Sequence, residues 1–191
     1  MSYTTGMAVR VYLGISANTD ETILSDCVTR AQAYIEAETG RTFEHATTGV
    51  ARYFDAYRDV SGRTLRLDRD LCYITSITNG DGVAVAAASY ITEPRNETPY
   101  YAITLKASKG IAWTYSTDPE NAITVTGRWA YSTTPPADIV QACTRMAAYY
   151  YRQREQKQFA VEAFPSIGVV VTPGGTPPDV TDIIRKYRRM T

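Results

Sequence analysis

The spacing of apolar positions along the chain changes twice, and these changes divide it into three stretches. The first stretch is helical. Met7 to Leu13 reads as a short helix stopped by Gly14. After Asp20, a suitable N-cap, Ile23, Leu24, Cys27, Val28, Ala31, Tyr34 and Ile35 recur at the spacing of one helix face, while Asp26, Arg30, Glu36 and Glu38 fall mostly opposite. Thr39-Gly40 closes this helix, because glycine takes the left-handed conformation of a helix end without a Cβ penalty.

From about Thr42 to Ser132 the period becomes two. Leu65 and Leu67 flank Arg66, and Tyr101, Ile103 and Leu105 alternate with Ala102 and Thr104. Ile111, Trp113 and Tyr115 repeat the pattern, and Ile123, Val125 and Trp129 continue it across Thr124, Thr126 and Arg128. Asn79-Gly80-Asp81-Gly82, between Tyr73–Thr78 and Val83–Val85, predicts a tight hairpin, since Asn-Gly and Asp-Gly tolerate positive φ angles. Together these runs predict an antiparallel lobe of about five to seven strands.

Helix returns after Pro135-Pro136, with proline pre-set for a first helical turn. Ile139, Val140, Cys143, Met146, Ala147 and Tyr150 form its stripe, and its end, Tyr149 to Arg154, is aromatic and basic. Residues 159–178 are rich in proline and glycine, with Val169-Val170-Val171 expected as an edge strand. A last amphipathic helix, Asp179 to about Arg189, sets Val180, Ile183, Ile184 and Tyr187 against Arg185, Lys186, Arg188 and Arg189. The predicted fold class is therefore α+β: a helical core of N-terminal and C-terminal helices with an inserted antiparallel β lobe. Its segments are 1–42, 43–134, 135–158, 159–178 and 179–191.

Composition narrows the function. A chain of 191 residues buries roughly 70% of its unfolded surface, so it needs neither disulfide nor metal to fold. Twenty basic residues against twenty acidic ones leave no global attraction to nucleic acid or membrane. Cys27, Cys72 and Cys143 are far apart and unpaired in sequence, which speaks against a disulfide framework or thiolate zinc site. Cys27 and Cys143 lie on apolar helix faces and are expected as buried thiols in a reducing compartment. The first apolar run is broken by Arg10 and too short for a signal-peptide core, and Val83 to Ala88 is far short of a membrane span. Asn96-Glu97-Thr98 therefore has no secretory context as a glycosylation triplet.

Catalytic signatures are sparse. His45 is the lone histidine, so any histidine-based triad must use it, and it is expected as an exposed residue at the start of a strand. Asn79-Gly80-Asp81-Gly82 lacks the lysine and following helix of a phosphate loop. Asp55, Asp59, Asp68 and Asp70 interleave with Arg58, Arg63, Arg66 and Arg69, the pattern of a salt-bridged surface rather than of a catalytic carboxylate pair. Neither an enzyme nor a cofactor is expected. The basic run Arg185, Lys186, Arg188 and Arg189, preceded by Arg152, Arg154 and Lys157, admits three readings. It contacts phosphate, it docks on a protein partner with Ile183, Ile184 and Tyr187 as anchors, or it is a solvated helix end. An amphipathic helix behind a Pro/Gly-rich stretch is suited to reach away from its own core.

Val11-Tyr12-Leu13-Gly14-Ile15, Ala31 to Glu36 and Thr39-Gly40-Arg41-Thr42-Phe43 resemble the N-terminal region of tailed-phage head–tail connector proteins, also called adaptor or head-completion proteins. Ile123 to Trp129, Pro135 to Ile139, Gln141-Ala142-Cys143 and Ala147 to Arg154 extend the resemblance, so that together the stretches frame most of the chain. The resemblance implies a homo-oligomeric ring, typically a dodecamer, beneath the portal protein in the virion neck. It also implies a neck or tail-completion partner, DNA passing through the lumen without sequence specificity, and no membrane. In relatives the C-terminal segment inserts into the portal, which maps here onto Thr176 to Thr191, with Ile183, Ile184, Arg185, Tyr187, Arg188 and Arg189 in contact. Tyr150, Tyr151, Arg152, Arg154, Val169 and Val171 are candidates for the ring interface, where tyrosine and arginine are favoured. Two other classes stand beside this one. A virion module could recognise carbohydrate or host surface through the tyrosine-rich β lobe, and a hydrolase could use His45 or the carboxylates.

Overall fold

The computed structural model describes residues 2–16, 20–45, 47–156, 163–164, 168–169 and 175–189. Its helices are α1 (Gly6–Leu13), α2 (Glu21–Thr39), α3 (Ala137–Gln156) and α4 (Pro178–Tyr187). Its strands are β1 (Val50–Phe54), β2 (Val60–Ser61), β3 (Thr64–Leu71), β4 (Tyr73–Thr78), β5 (Tyr90–Glu93), β6 (Tyr100–Leu105), β7 (Ile123–Arg128), β8 (Ala163–Phe164) and β9 (Gly168–Val169). The fold is α+β, with N- and C-terminal helices and a β region between them. Two compact units result: Ser2–Arg41 together with Pro135–Thr191, and Thr42–Thr134.

In the helical unit the glycine stops work as the sequence predicts. Gly14 and Gly40 take φ values of 70° and 65° and close α1 and α2. Thr5 caps α1, its hydroxyl accepting from Ala8 N at 3.1 Å. Asp20 holds the N-cap position of α2, its carbonyl accepting from Leu24 N at 2.9 Å, but its side chain does not cap the helix; the carboxylate accepts the Tyr151 hydroxyl at 2.7 Å instead. The start of α2 thus lies at the end of α3, and the two run antiparallel. Leu24, Cys27, Val28, Ala31 and Ile35 of α2 are buried with Ile139, Ala142, Cys143, Met146 and Ala147 of α3. All three cysteines are buried and free. Burial, with Glu36 adding to it, pushes the Cys143 thiol up to about 12, so it is a core side chain rather than a nucleophile.

In the β unit, β1, β7 and β4 form one antiparallel sheet in that order, and β2, β3, β6 and β5 form another. Val125 pairs with Arg52 on one side and Ile77 on the other, and Ile123 pairs with Phe54, which sets the period-two residues on one face. That face joins Leu65, Leu67, Leu71, Ile103, Leu105, Trp113 and Trp129 in a single core. The indole of Trp129 donates to the Val50 carbonyl at 2.8 Å, so its one polar atom is satisfied.

Three expectations for this unit are corrected. Ile111, Trp113 and Tyr115 form no strand; the stretch pairs in strand fashion only through an isolated bridge between Gly80 and Tyr115. The cause lies in Asn79 and Arg63. The buried Asn79 amide donates to Ala112 O and accepts from Thr114 N, occupying the place of a neighbouring strand's backbone. Arg63 donates to the carbonyls of Leu105, Lys106 and Ile111, while Trp113 donates to Arg63 O. A Cβ at Gly80 would lie 2.3 Å from Thr114 O, so the residue after Asn79 has to be glycine. The tight turn expected at Asn79–Gly82 is present, since Asn79 N to Val83 O, Val85 N to Ile77 O and an antiparallel bridge between Thr78 and Ala84 fold Val83–Val85 back on β4, but the segment extends into no strand and Val83 is exposed. His45, expected to be exposed at a strand start, is half-buried in the loop ahead of β1, and its carbonyl accepts from Arg128.

The Pro/Gly-rich stretch falls largely outside the described residues, as does Val171. Within it, Gly168–Val169 pairs antiparallel with Ala163–Phe164.

Candidate functional site

Among the described residues no group of three His, Cys, Asp or Glu side chains is placed to hold a metal, and no helix is long and apolar enough to cross a membrane. The β-unit carboxylates do not converge on a cleft. Asp68 pairs with Arg52 at 2.6 Å, and Asp55 and Asp59 lie near Arg58 while accepting the backbone N–H groups of Asn121 and Asp55. Surfaces able to bind another molecule lie on helices α1 to α4, and the exposed Tyr53, Tyr57 and Tyr101 add one on the β unit.

Helix α4 begins with proline at its first turn, carries Asp179 there, and places Arg185 and Lys186 in its last turn, each favourable to the helix dipole. Its apolar stripe faces the chain's own helices. Val180 and Ile184 are buried and Ile183 is half-buried. Polar bonds fasten both ends. Arg145 of α3 meets Asp179 at 2.8 Å; Arg41 donates to Tyr187 O at 2.8 Å; Arg189 N donates to Thr39 O at 2.9 Å. Between them, Asp138 at the start of α3 accepts the Tyr187 hydroxyl on both oxygens, at 2.8 and 3.0 Å, and Lys186 Nζ at 2.8 Å. Burial by itself raises the Asp138 carboxyl, but the hydrogen bonds from Lys186 and Tyr187 outweigh it and hold the group below the usual carboxylate range.

The segment expected to carry Ile183, Ile184 and Tyr187 to a partner therefore has these side chains engaged wholly or partly by its own unit. Arg185 and Arg188 point to solvent, with Arg185 near Asp182 at 3.4 Å, and Arg189 is half-buried. Of the side chains proposed for the ring interface, Tyr151 is buried and spent on Asp20, whereas Arg152 and Arg154 are exposed and Tyr150 is half-buried. Val169 pairs in the short β8–β9 ladder.

Tyr150 instead helps form a cleft between α2 and α3. Its volume is about 520 Å³, with Ile23, Cys27 and Tyr150 giving apolar walls and Asp26, Arg30 and Arg154 a charged rim. The Arg30 guanidinium lies 4.7 Å from the centre of the Tyr150 ring, a cation–π distance that holds this wall in place. Burial raises the Tyr150 hydroxyl above its ordinary range, so it stays protonated and able to donate.

The surface the sequence pattern concealed is on α1. Met7, Val11 and Tyr12 are 59%, 69% and 53% exposed, whereas Gly6 and Val9 of the same helix are buried. Met7–Val11 and Ala8–Tyr12 are adjacent rows of four-residue spacing, so they form one apolar ridge turned to solvent. Its signal in the sequence was the absence of polar residues opposite Val9, since the lone charge of the helix is Arg10.

No protein-family model and no curated protein sequence matches this chain. Solved structures do. A chain in the neck of an empty gene transfer agent particle, computed with C6 symmetry, is similar over 97% of this chain and 89% of that one, at 19% identity and a TM-score of 0.57. A chain in the neck of the native particle, computed with C12 symmetry, is similar over 97% and 91% at 18% identity and a TM-score of 0.55. A chain in the virion of the native particle is similar over 97% and 89%, also at 18% and 0.55.

Proposed function

We propose that the chain is a structural subunit of a phage-type virion neck: a head–tail connector that assembles as a ring, a dodecamer, below the portal, extends the DNA channel and joins the capsid to neck or tail-completion proteins. The observation that carries this reading is the likeness of the fold, over nearly the whole chain, to neck chains of particles computed with twelve-fold and six-fold symmetry. Surface chemistry agrees with it. The thiols are buried, and the most solvent-open apolar side chains of the helical unit form a ridge rather than a pocket. A neutral chain also suits a lumen that DNA traverses without sticking, since phosphate-binding affinity grows with each basic contact. The protein is not an enzyme on this reading, and replacing His45 by alanine is expected to leave assembly intact.

Portal contact then falls to the outward side of α4, with Arg185 and Arg188 as its exposed cations. Native mass measurement and electron microscopy of the purified chain, alone and mixed with portal, test the proposal. A closed ring, or a chain ring stacked on the portal, is expected; a chain that stays monomeric in both conditions overturns it. Tyr53, Tyr57 and Tyr101, all at least 60% exposed, favour a second reading in which the β unit recognises carbohydrate. Glycan-array binding that is lost on their replacement by alanine would support that one.

A further inference from the structure

We infer that the ring interface, on the reading just given, is made by the α1 ridge of one copy seated in the α2–α3 cleft of the next. The two surfaces belong to the same unit of the chain yet differ in shape and chemistry. One is a convex row of Met7, Val11 and Tyr12, more than half exposed at each position. The other is a concave slot of about 520 Å³ with Ile23, Cys27 and Tyr150 inside and charges at its edge. Apolar centre and charged rim are the layout of a protein–protein interface core, and the rim charges Arg30, Arg154 and Asp26 are of the kind that the Tyr12 hydroxyl can bond.

A second copy is the occupant that these observations select. Met7, Val11 and Tyr12 form one contiguous exposed apolar row, and contiguous apolar surface marks interaction sites more often than scattered single side chains do. One chain carries both halves of the contact, so every copy can give one and receive one, and a contact between two different patches makes a ring when the rotation from copy to copy closes. The neck particles with a similar fold, computed with six-fold and twelve-fold symmetry, carry it in multiple copies around an axis. Three side chains make a small contact beside the roughly 800 Å² per partner of a stable pair. Single pairs are therefore weak, and closure or a portal template supplies the cooperativity.

The test uses the full-length chain carrying Val11→Cys together with Gln153→Cys on the cleft wall, treated with a short bismaleimide under assembling conditions, with portal if the chain needs it. Cys27 lines the same cleft and is replaced by alanine in every variant, while Cys72 and Cys143 are buried and serve as slow-reacting background. A ladder of covalent multimers from the double variant is expected, with neither single variant giving more than trace dimer. Val11→Asp, at an exposed position, is expected to raise the concentration for half-assembly at least tenfold while leaving the thermal melt in place. Rings that form normally with Val11→Asp and give no ladder overturn the inference and leave the ring reading standing. Dimers from Val11→Cys alone overturn it too, because they signal a two-fold contact. A chain that forms no ring with or without portal removes the reading on which the inference rests, and the inference with it.

Discussion

Helices α1 and α4 are both short members of the helical unit, and they use their apolar residues in opposite ways. In α4, Val180 and Ile184 are buried and both ends of the helix are tied down, by Arg145 on Asp179 and by Arg41 and Arg189 around Tyr187. In α1, Val9 is buried while Met7, Val11 and Tyr12 face solvent. The more amphipathic sequence thus belongs to the helix that holds its own core together. The less regular one carries the surface left for another molecule. Amphipathicity measures how well a helix can satisfy itself by packing on its own chain; a leftover apolar ridge measures what the chain leaves unsatisfied.

Removing core contacts of α4 should give the largest effect. Ile184→Ala is expected to cost about 2–4 kcal/mol in denaturant-unfolding free energy, from lost burial plus the cavity left behind. A cost below half a kilocalorie would mean that α4 is not packed as described. Tyr151→Phe comes next. It removes the hydroxyl donor to Asp20 and leaves that carboxylate without it at the α2–α3 junction, a loss of about 1–2 kcal/mol.

The Asp138 latch should be smaller and dependent on pH. Its folded-state carboxyl lies below the ordinary value of about 3.9, so its contribution is complete above roughly pH 4 and is lost as pH falls through the depressed value. Protection of α4 amides from hydrogen exchange should fall over that acid range in the unmodified chain. The fall should flatten in Asp138→Asn, whose cost at neutral pH is about 0.5–1 kcal/mol because the group is partly solvated. Smallest of all is Val11→Asp, expected to shift monomer stability by no more than about 0.5 kcal/mol. A large loss of monomer stability there would show that the α1 ridge is covered within the chain, and the contrast between the two helices would collapse.

Much of the architecture was legible because local rules and tertiary packing agree. Gly14 and Gly40 end helices where a left-handed residue is needed, and the Pro135-Pro136 pair marks the return to helix ahead of α3. Leu65, Leu67, Ile103, Leu105, Ile123 and Val125 alternate because one face of their strands is buried, and all six lie in the core of the β unit. The stretch at 111–115 alternates equally well without being a strand. Alternation reports which side chains turn inward, whereas strand pairing also needs a free backbone edge, and here the Asn79 side chain and Arg63 have taken the hydrogen bonds. Asp20 shows the same limit: its type and position suit a cap, yet Tyr151, distant in sequence, captures the carboxylate.

The candidate binding surfaces were legible only in part. Arg152, Arg154, Arg185 and Arg188 are exposed as their chemistry suggests, but Tyr151, Ile184 and Tyr187 are occupied by partners more than forty residues away. What the sequence by itself determined is local: where helices stop and which rows of residues are apolar. What only the tertiary structure decided is which apolar row finds a neighbour. Burial is a property of pairs of surfaces, and α4 meets α2 and α3 across long sequence separations, while Met7, Val11 and Tyr12 on the outer rows of α1 stay more than half exposed, with Tyr12 only bordering Arg145, Tyr149 and Arg152 of α3.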